Sequence, residues 1–331
     1  MTAASVTLHD EALERARGEW AGLLARCARP LPFVTPAFQH TWLRHFQGEK
    51  ELRLLTAREG GRLVGVAPML RDGDTAEFVG HYSICDYMDV AAAAGFEREF
   101  AALVLRRLAG EGVTSLDLRG LLESSPTLDA IAQAAPAAGF ALEREEEATA
   151  PAAELPGTWD EYLSRLTKKD RHELRRKLRR LDSAGGDVQF RAVTDAAEAD
   201  ALLDPFFRMM RASNHHKEEF LGRPGMVEFF RDLVRAMAED GMLRFYWLTF
   251  DGQPVAGVLN FDVGGRLYMY NSGYDPEYSH YAVGLMSKTL LIRDAIECGR
   301  TCVDFMRGDE SYKYDLGGQD QKVFRLKLTK A

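Results

Sequence analysis

An α+β fold, built twice along one chain, is what this sequence predicts, and three observations carry the prediction. Glu59-Gly60-Gly61-Arg62-Leu63-Val64-Gly65-Val66 reads as a strand, a glycine turn and a returning strand, and Asp251-Gly252-Gln253-Pro254-Val255-Ala256-Gly257-Val258 reads the same way. Gly112-Val113-Thr114-Ser115-Leu116-Asp117-Leu118-Arg119-Gly120 is echoed, with one inserted residue, by Gly299-Arg300-Thr301-Cys302-Val303-Asp304-Phe305-Met306-Arg307-Gly308, and an amphipathic helix precedes both. The echoes recur at an offset of about 190 residues, the mark of an internal repeat. In each copy an antiparallel meander leads into a helix and then a further strand, an order that belongs to α+β layers and not to a doubly wound sheet.

The elements follow in order. The periodicity predicts helices over 9–29 and 36–46, the second opened by Thr35 as N-cap and Pro36 at the first helical position. Strands are predicted over 52–58, 62–71, 75–80 and 84–91, then a helix over 96–109, a strand over 114–118, a helix over 126–138 and a strand over 140–147. An Ala/Pro-rich stretch, 148–157, and the helix after it join the copies, giving a first domain over 1–155 and a second over 156–331. The second copy reads as a strand over 187–193, helices over 195–213 and 224–240, and strands over 242–250, 254–263 and 266–273. A helix over 283–298 and strands over 301–306 and 322–328 complete it.

Composition sets the outer limits. The chain has 331 residues, 46% hydrophobic and 28% charged, which excludes collagen-like, coiled-coil and wholly disordered architectures. Four scattered cysteines suit thiols in a reducing compartment, and no His or Cys cluster completes a metal site around Cys298 and Cys302. The N-terminal stretch shows no apolar signal core, and no run of apolar residues is long enough to span a bilayer, so the sequence reads as a cytoplasmic protein with no integral membrane contact. The formal charge of −8 argues against a generic nucleic-acid binder. Yet residues 165–180 hold nine Lys/Arg against Asp170 and Glu173, a local +7 that leaves −15 for the rest. Leu163, Leu166, Leu174, Leu178 and Leu181 give this basic segment one apolar stripe. Its cationic faces either pair with the acidic run 143–147, or stay solvated, or hold a polyanion such as tRNA or a phosphate-bearing substrate, or rest on anionic lipid.

Four segments carry a resemblance to known proteins. They are Trp159-Asp160-Glu161-Tyr162-Leu163 leading into the run Arg171 to Leu181, then Tyr268-Met269-Tyr270-Asn271-Ser272-Gly273-Tyr274-Asp275-Pro276, the helix from Leu290 to Gly299, and Asp304-Phe305-Met306-Arg307-Gly308-Asp309-Glu310-Ser311-Tyr312-Lys313. With the duplicated element order, they resemble the GNAT acyltransferase fold in the tandem arrangement of the Fem peptidoglycan-bridge aminoacyltransferases. The wording is closer still to the CelD-like acetyltransferases linked to cellulose and exopolysaccharide biosynthesis. The likeness is strong over 155–318 and looser before it. It implies transfer of an acyl group, with acetyl-CoA or another acyl-CoA as co-substrate and no metal, to a small-molecule or sugar acceptor lying between the copies. A Fem-like aminoacyl-tRNA transferase is the second reading, and a silent polysaccharide-assembly partner the third.

On that resemblance the donor belongs to the second copy. Tyr270, Ser272 and Gly273 at a strand end, His280 in the loop, and Val283 and Gly284 at a helix start would meet the cofactor, because a helix N-terminus favours phosphate. The loop Tyr278-Ser279-His280-Tyr281-Ala282-Val283-Gly284 departs from the family's Arg/Gln-x-x-Gly-x-Gly/Ala pattern, and it can equally be an ordinary helix start with an incidental glycine. In the first copy, Glu97 and Glu99 already occupy the corresponding dipole end. Asp309 and Glu310 are general-base candidates, Lys313 matches loosely a Fem lysine facing the donor, and Tyr274 could protonate a leaving thiolate. Tyr268, Tyr270 and Tyr274 otherwise make a sheet-face stripe. Arg307 and Asp304 could bind substrate, strand parity setting Asp304 with Met306 on one face, or they tie down a loop as an ion network. His216, with His81 and Asp86 of the first copy, completes the acceptor candidates; His216 reads otherwise as part of a solvated helix end.

Overall fold

Both glycine turns close two-residue hairpins in the computed structural model, which describes residues 5–331. Gly60 and Gly61 take φ of 54° and 87°, and Asp251 and Gly252 take 47° and 77°. Two successive left-handed residues give the turn whose twist matches the flanking strands. The chain divides into two units, one of the described residues up to 149 together with 321–331, the other of 150–320.

The first unit runs β1 (Val6–Asp10), α1 (Leu13–Leu24), α2 (Pro36–Phe46), β2 (Glu51–Glu59), β3 (Arg62–Asp72), β4 (Thr75–Phe78), β5 (Ala91–Ala92), α3 (Glu97–Gly110), β6 (Ser115–Leu122), α4 (Pro126–Ala134) and β7 (Phe140–Thr149). The second holds β8 (Ala152–Glu154), α5 (Trp159–Arg165), α6 (Lys168–Asp182), β9 (Val188–Val193), α7 (Ala196–Ser213), α8 (His215–Leu221) and α9 (Met226–Glu239). It continues through β10 (Leu243–Phe250), β11 (Gln253–Val263), β12 (Arg266–Tyr274), α10 (Val283–Glu297), β13 (Cys302–Asp304) and α11 (Ser311–Asp315). The last strand, β14 (Lys322–Lys330), belongs to the first unit. The sheet orders are β1-β2-β3-β4-β6-β14-β7, with β5 on β3, and β8-β13-β12-β11-β10-β9.

The duplication is therefore mixed α+β in both units. In each, a three-strand meander leads through a helix, α3 or α10, to a strand parallel to the third: Glu77 pairs with Asp117, and Tyr268 with Asp304. Each first hairpin also carries a bulge, with Val64 and Val255 as the extra residues. The structural repeat is thus one residue out of step with the letters. Gly65 corresponds to Ala256, and Gly65 and Gly257 serve opposite faces, under Phe100 of α3 and Phe206 of α7 respectively. A Cβ at Gly65 would stand 2.7 Å from the Phe100 ring, so that glycine is required by close packing.

Several expectations need correction. Val6–Asp10 is an edge strand on β2, not the start of a helix; only Val6 and Leu8 alternate with polar neighbours, too short a run to stand out beside the helix that follows. Residues 84–90 form a buried loop, tied by Ile84 and Cys85 N–H groups to the His81 carbonyl, because a short apolar run does not distinguish strand from buried coil. The final strand pairs with β6 and β7 instead of completing the second copy, since its alternation marks it as a strand without naming a sheet. The strand expected over 301–306 stops at Asp304, and Met306 is left-handed, with φ 62°. The Asp304–Met306 parity argument fails there. All four cysteines are free, and Cys298 is exposed.

The second unit's sheet is covered on both faces. Leu248, Val258 and Met269 pack with Met286, Leu291 and Ile292 of α10 and with Leu163, Leu174 and Leu181 of α5 and α6. On the other face Phe206 of α7 meets the edges of Phe245 and Trp247. Each leucine so buried contributes about 1.5–3 kcal/mol. Thr35 caps α2 as expected, accepting the Phe38 N–H at 3.2 Å.

A chain ending at Asp320 would leave β6 and β7 without the strand between them. Hydrogen exchange should then show amide protection lost across 115–122 and 140–149 while β10–β12 stay protected.

Candidate functional site

β12 and β13 run parallel only from Arg266↔Cys302 to Tyr268↔Asp304, and then β12 continues to Tyr274 paired with β11 alone, its other edge without a strand among the described residues. Beside that unaccompanied stretch lies a cavity of about 360 Å³. Its wall is built from Ser272 and Tyr274 of β12, Ser279, Ala282, and Val283, Gly284, Leu285 and Lys288 of α10. Ser213, Asn214 and Lys217 at the α7–α8 junction, with Glu310 and Tyr312, close it.

Backbone conformation shapes the entrance. Ala282 precedes α10 in the left-handed region, with φ 55°, and no side chain caps the helix. Its carbonyl accepts from the Leu285 and Met286 N–H groups, both at 2.9 Å. The positive end of a four-turn helix therefore meets the cavity uncapped. Gly284 is needed for packing as well as access, because a Cβ there would lie 2.8 Å from the Tyr274 ring.

A bulge decides which tyrosine reaches the cavity. Leu259 pairs with Asn271 and Asn260 with Met269, so Tyr270 is the extra residue and side-chain parity inverts there. Tyr268 and Tyr270 face the α7–α9 side, where Tyr270 packs on Phe230 and Phe261, while Tyr274 lies on the α10 side. The expected single tyrosine stripe is thus split between faces.

Two lysines that sequence reasoning passed over stand in this wall. Lys217 Nζ donates to the Ser272 carbonyl on the open edge of β12. Burial pulls its pKa down to about 8, against the opposing pull of Glu310. Lys288 is 7% exposed, and its Nζ donates to the Gly284 carbonyl at 2.9 Å and lies 5.0 Å from the centre of the Tyr312 ring. Burial, reinforced by the Lys217 charge, brings it down to about 7. Lys288 was legible in principle, since it stands four residues after Gly284 and three before Leu291 on the buried stripe of α10. Lys217 was not: within Asn214-His215-His216-Lys217-Glu218-Glu219 it looks like one more solvated charge.

Of the residues read from sequence, the cavity gathers Tyr274, Ser272, Val283, Gly284 and Glu310. The others lie elsewhere. Asp309 is exposed. Lys313 is 1% exposed and donates to the carbonyls of Met306, Arg307 and Gly308 at 3.0, 2.7 and 3.0 Å, and it pairs with Glu310 at 2.8 Å. Its ammonium thus holds the 306–308 turn and places Glu310, and it is absent from the cavity wall. Burial works against ionisation of Glu310, but the Lys313 hydrogen bond and charge, with Lys217, hold its carboxyl below the usual range, which makes it a poor base. Asp304 is fully buried and accepts the Met306 N–H at 2.9 Å. Arg307 offers its carbonyl to Lys313. Gly273 lies under α7, where a Cβ would be 2.6 Å from the Met210 nitrogen. His280 is exposed and gives its carbonyl to Arg180 at 2.8 Å, and His216 is exposed beside Glu219 at 3.8 Å. In the first unit, His81 lines a polar pocket with Lys50, Glu77, Asp117 and Arg119, and its Nδ1 is 2.7 Å from Ser83 Oγ; Asp86 is half-buried and outside that lining.

The acidic run finds partners within its own unit. Glu145 pairs with Lys327 at 3.0 Å, Glu146 with Lys322 at 2.8 Å and Glu147 with Arg119, all within the first unit. On α6, Glu173 takes Arg176 and Lys177, while Lys168, Lys169, Arg175 and Arg179 make no ion pair among the described residues. Among the same residues no group of three His, Cys, Asp or Glu side chains could hold a metal ion, and no helix is long and apolar enough to cross a membrane.

Residues 168–314, from α6 into α11, match the family profile described as an acetyltransferase (GNAT) domain. The second unit therefore carries the domain of a transferase enzyme. FemX has a similar structure, with a TM-score of 0.67 at 13% identity over 96% of each chain. A conserved protein of unknown function from Bacteroides thetaiotaomicron VPI-5482 follows, with a TM-score of 0.64 at 12% identity over 98% of this chain and 100% of that one. The C-terminal DUF2156 domain of an Agrobacterium fabrum protein gives 0.61 at 10% identity, covering 96% and 92%. At such identities the likeness is one of fold. No curated protein sequence matches the chain.

Replacing Lys313 by Met should destabilise the second unit by roughly 3 kcal/mol or more, since three carbonyls and one carboxylate lose their donor. Urea unfolding followed by tryptophan fluorescence measures it; an unchanged midpoint would remove Lys313 from its pinning role.

Proposed function

We propose that the chain is an acyltransferase that takes an acyl group, acetyl from acetyl-CoA in the first instance, to an amine or hydroxyl of a small-molecule, sugar or polysaccharide-related acceptor. The single observation that carries this reading is the cavity where β12 outruns β13 beside the uncapped start of α10. An open strand edge offers backbone groups to an amide-bearing arm, and an uncapped helix start offers N–H groups and a positive dipole to a pyrophosphate. The left-handed residue usual at such an anion-binding turn is supplied here by Ala282, which explains how a loop with a lone Gly284 can still serve.

Transfer would be direct. No Ser-His-Asp or Cys-His arrangement marks a covalent acyl-enzyme in the sequence. Tyr274, at the cavity beside Gly284, would hydrogen-bond to the leaving sulfur; Glu310, paired to Lys313, would contribute charge to the wall and not basicity.

A second reading, transfer from an aminoacyl-tRNA, draws support from the exposed cations Lys168, Lys169, Arg175 and Arg179 of α6, which make no ion pair among the described residues. Titration calorimetry separates the two. Acetyl-CoA should bind with a dissociation constant of about 1–100 μM, and Ser279→Glu, at an exposed wall position, should weaken it at least tenfold by setting a carboxylate near the helix start. Salt-sensitive binding of aminoacyl-tRNA, lost when Lys168, Lys169, Arg175 and Arg179 are neutralised, would favour the second reading. Binding of neither donor, nor of longer acyl-CoAs, would leave the chain as a silent assembly partner.

A further inference from the structure

The cavity wall holds one more feature than a donor site requires. Lys288 is more than nine-tenths buried, faces the cavity, and has no carboxylate within ion-pair distance among the described residues. Its hydrogen bond goes to a carbonyl of its own helix, one turn back. The groups around it come from three elements and the residue before the last of them: Lys217 of α8, Tyr274 of β12, Glu310, and Tyr312 of α11, with Lys313 behind Glu310. Three amines thus share one carboxylate, and Lys313 already claims it. A second ammonium in this wall would have to be desolvated without a partner, at a cost that drives a buried amine to give up its proton. A neutral amine fits instead: it donates to the Gly284 carbonyl and retains a lone pair. Burial with Lys217 beside it brings Lys288 to about 7, so much of the population is neutral at ordinary pH.

We propose that Lys288 is the proton acceptor for the attacking group and that Lys217 is the positioning residue that keeps its lone pair available. This rests on the reading of the cavity as the donor site. The acceptor's neutral amine or hydroxyl attacks the thioester carbonyl, and the C–N or C–O bond forms. The attacking atom's proton passes to Lys288 Nζ. The C–S bond then breaks, and the departing sulfur takes that proton, so Lys288 ends neutral and the products are the amide or ester and the free thiol.

Two measurements test it. Trace labelling with acetic anhydride from pH 5 to pH 10, read by peptide mass spectrometry, should show Lys288 half-reactive near pH 7, with surface lysines near pH 10. Lys217→Met removes a like charge, favours the protonated form and should move that midpoint upward by about one pH unit. Acetyl-CoA should protect Lys288 from label. A midpoint with the surface lysines, or no labelling at any pH, overturns the proposal; protection in that case leaves the donor site standing. A neutral midpoint without protection removes the donor site and the role together.

The second measurement is Lys288→Arg, which fixes a positive charge where the proposal has a neutral amine and cannot accept a proton. It should bind acetyl-CoA by calorimetry yet lose at least a hundredfold in the rate of CoA release from acetyl-CoA to water. Binding with an unchanged rate would mean that the position serves as a cation and not as a base.

Discussion

The arrangement of the second unit depends on where β13 stops. It pairs with β12 for three residues and leaves at Asp304, whose buried carboxylate accepts the Met306 N–H and fixes the turn that follows. Met306 becomes left-handed, at a cost of about 1 kcal/mol or more for a non-glycine residue. The turn's three carbonyls converge on Lys313 Nζ, and the same ammonium draws in Glu310. Each group by itself would be expensive to bury; together they satisfy one another. The consequence is a strand pair held open, with the start of α10 facing the gap.

The first unit shows what happens when the same topology is closed. There β6 does not stop at Asp117, the counterpart of Asp304, but runs on to Leu122 and pairs with β14. The turn after β4 carries the buried loop containing Tyr87 and Met88 toward β6, where the Met88 N–H bonds to the Gly120 carbonyl at 3.0 Å. Gly120 is left-handed, and a Cβ there would lie 2.9 Å from the Met88 nitrogen. Asp117 turns outward to meet Arg325 at 2.6 and 2.7 Å instead of capping a turn. Corresponding aspartates thus serve opposite ends: one secures a sheet, the other opens one. Glu97 and Glu99 in the first turn of α3 agree with that division, since they leave its dipole end no need of an anion.

How much of this could be read from sequence follows from the range of each interaction. Hairpins, the crossover helix and the parallel strand were legible because glycine turns and apolar periodicity are local. The tyrosine stripe was misread because a bulge at Tyr270 leaves no compositional trace, yet it inverts every side chain after it. The membership of 322–330 was not local either, since Val323, Leu326 and Leu328 fit any half-buried sheet position. Among site residues, Tyr274, Ser272, Val283, Gly284 and Glu310 came from motif and position, and the cavity gathers them. Lys313 and Asp304 were noticed for their charge, but their partners are backbone carbonyls and an N–H group, which no side-chain pattern reveals.

Charge ties these levels together. The basic segment around α6 was conspicuous in the sequence, yet its cations are mostly exposed, where water solvates them and pairing is worth little. Lys217 and Lys288 were inconspicuous, yet burial makes their protonation state responsive to one neighbouring charge. A carboxylate could not replace Lys288 without binding Lys217, becoming ionised and losing its basicity, as Glu310 does beside Lys313. An amine among amines is pushed the other way, toward the neutral form, and no carboxylate has to be shielded to keep it there. The same desolvation that makes a buried lysine costly to the fold therefore makes its lone pair available to chemistry.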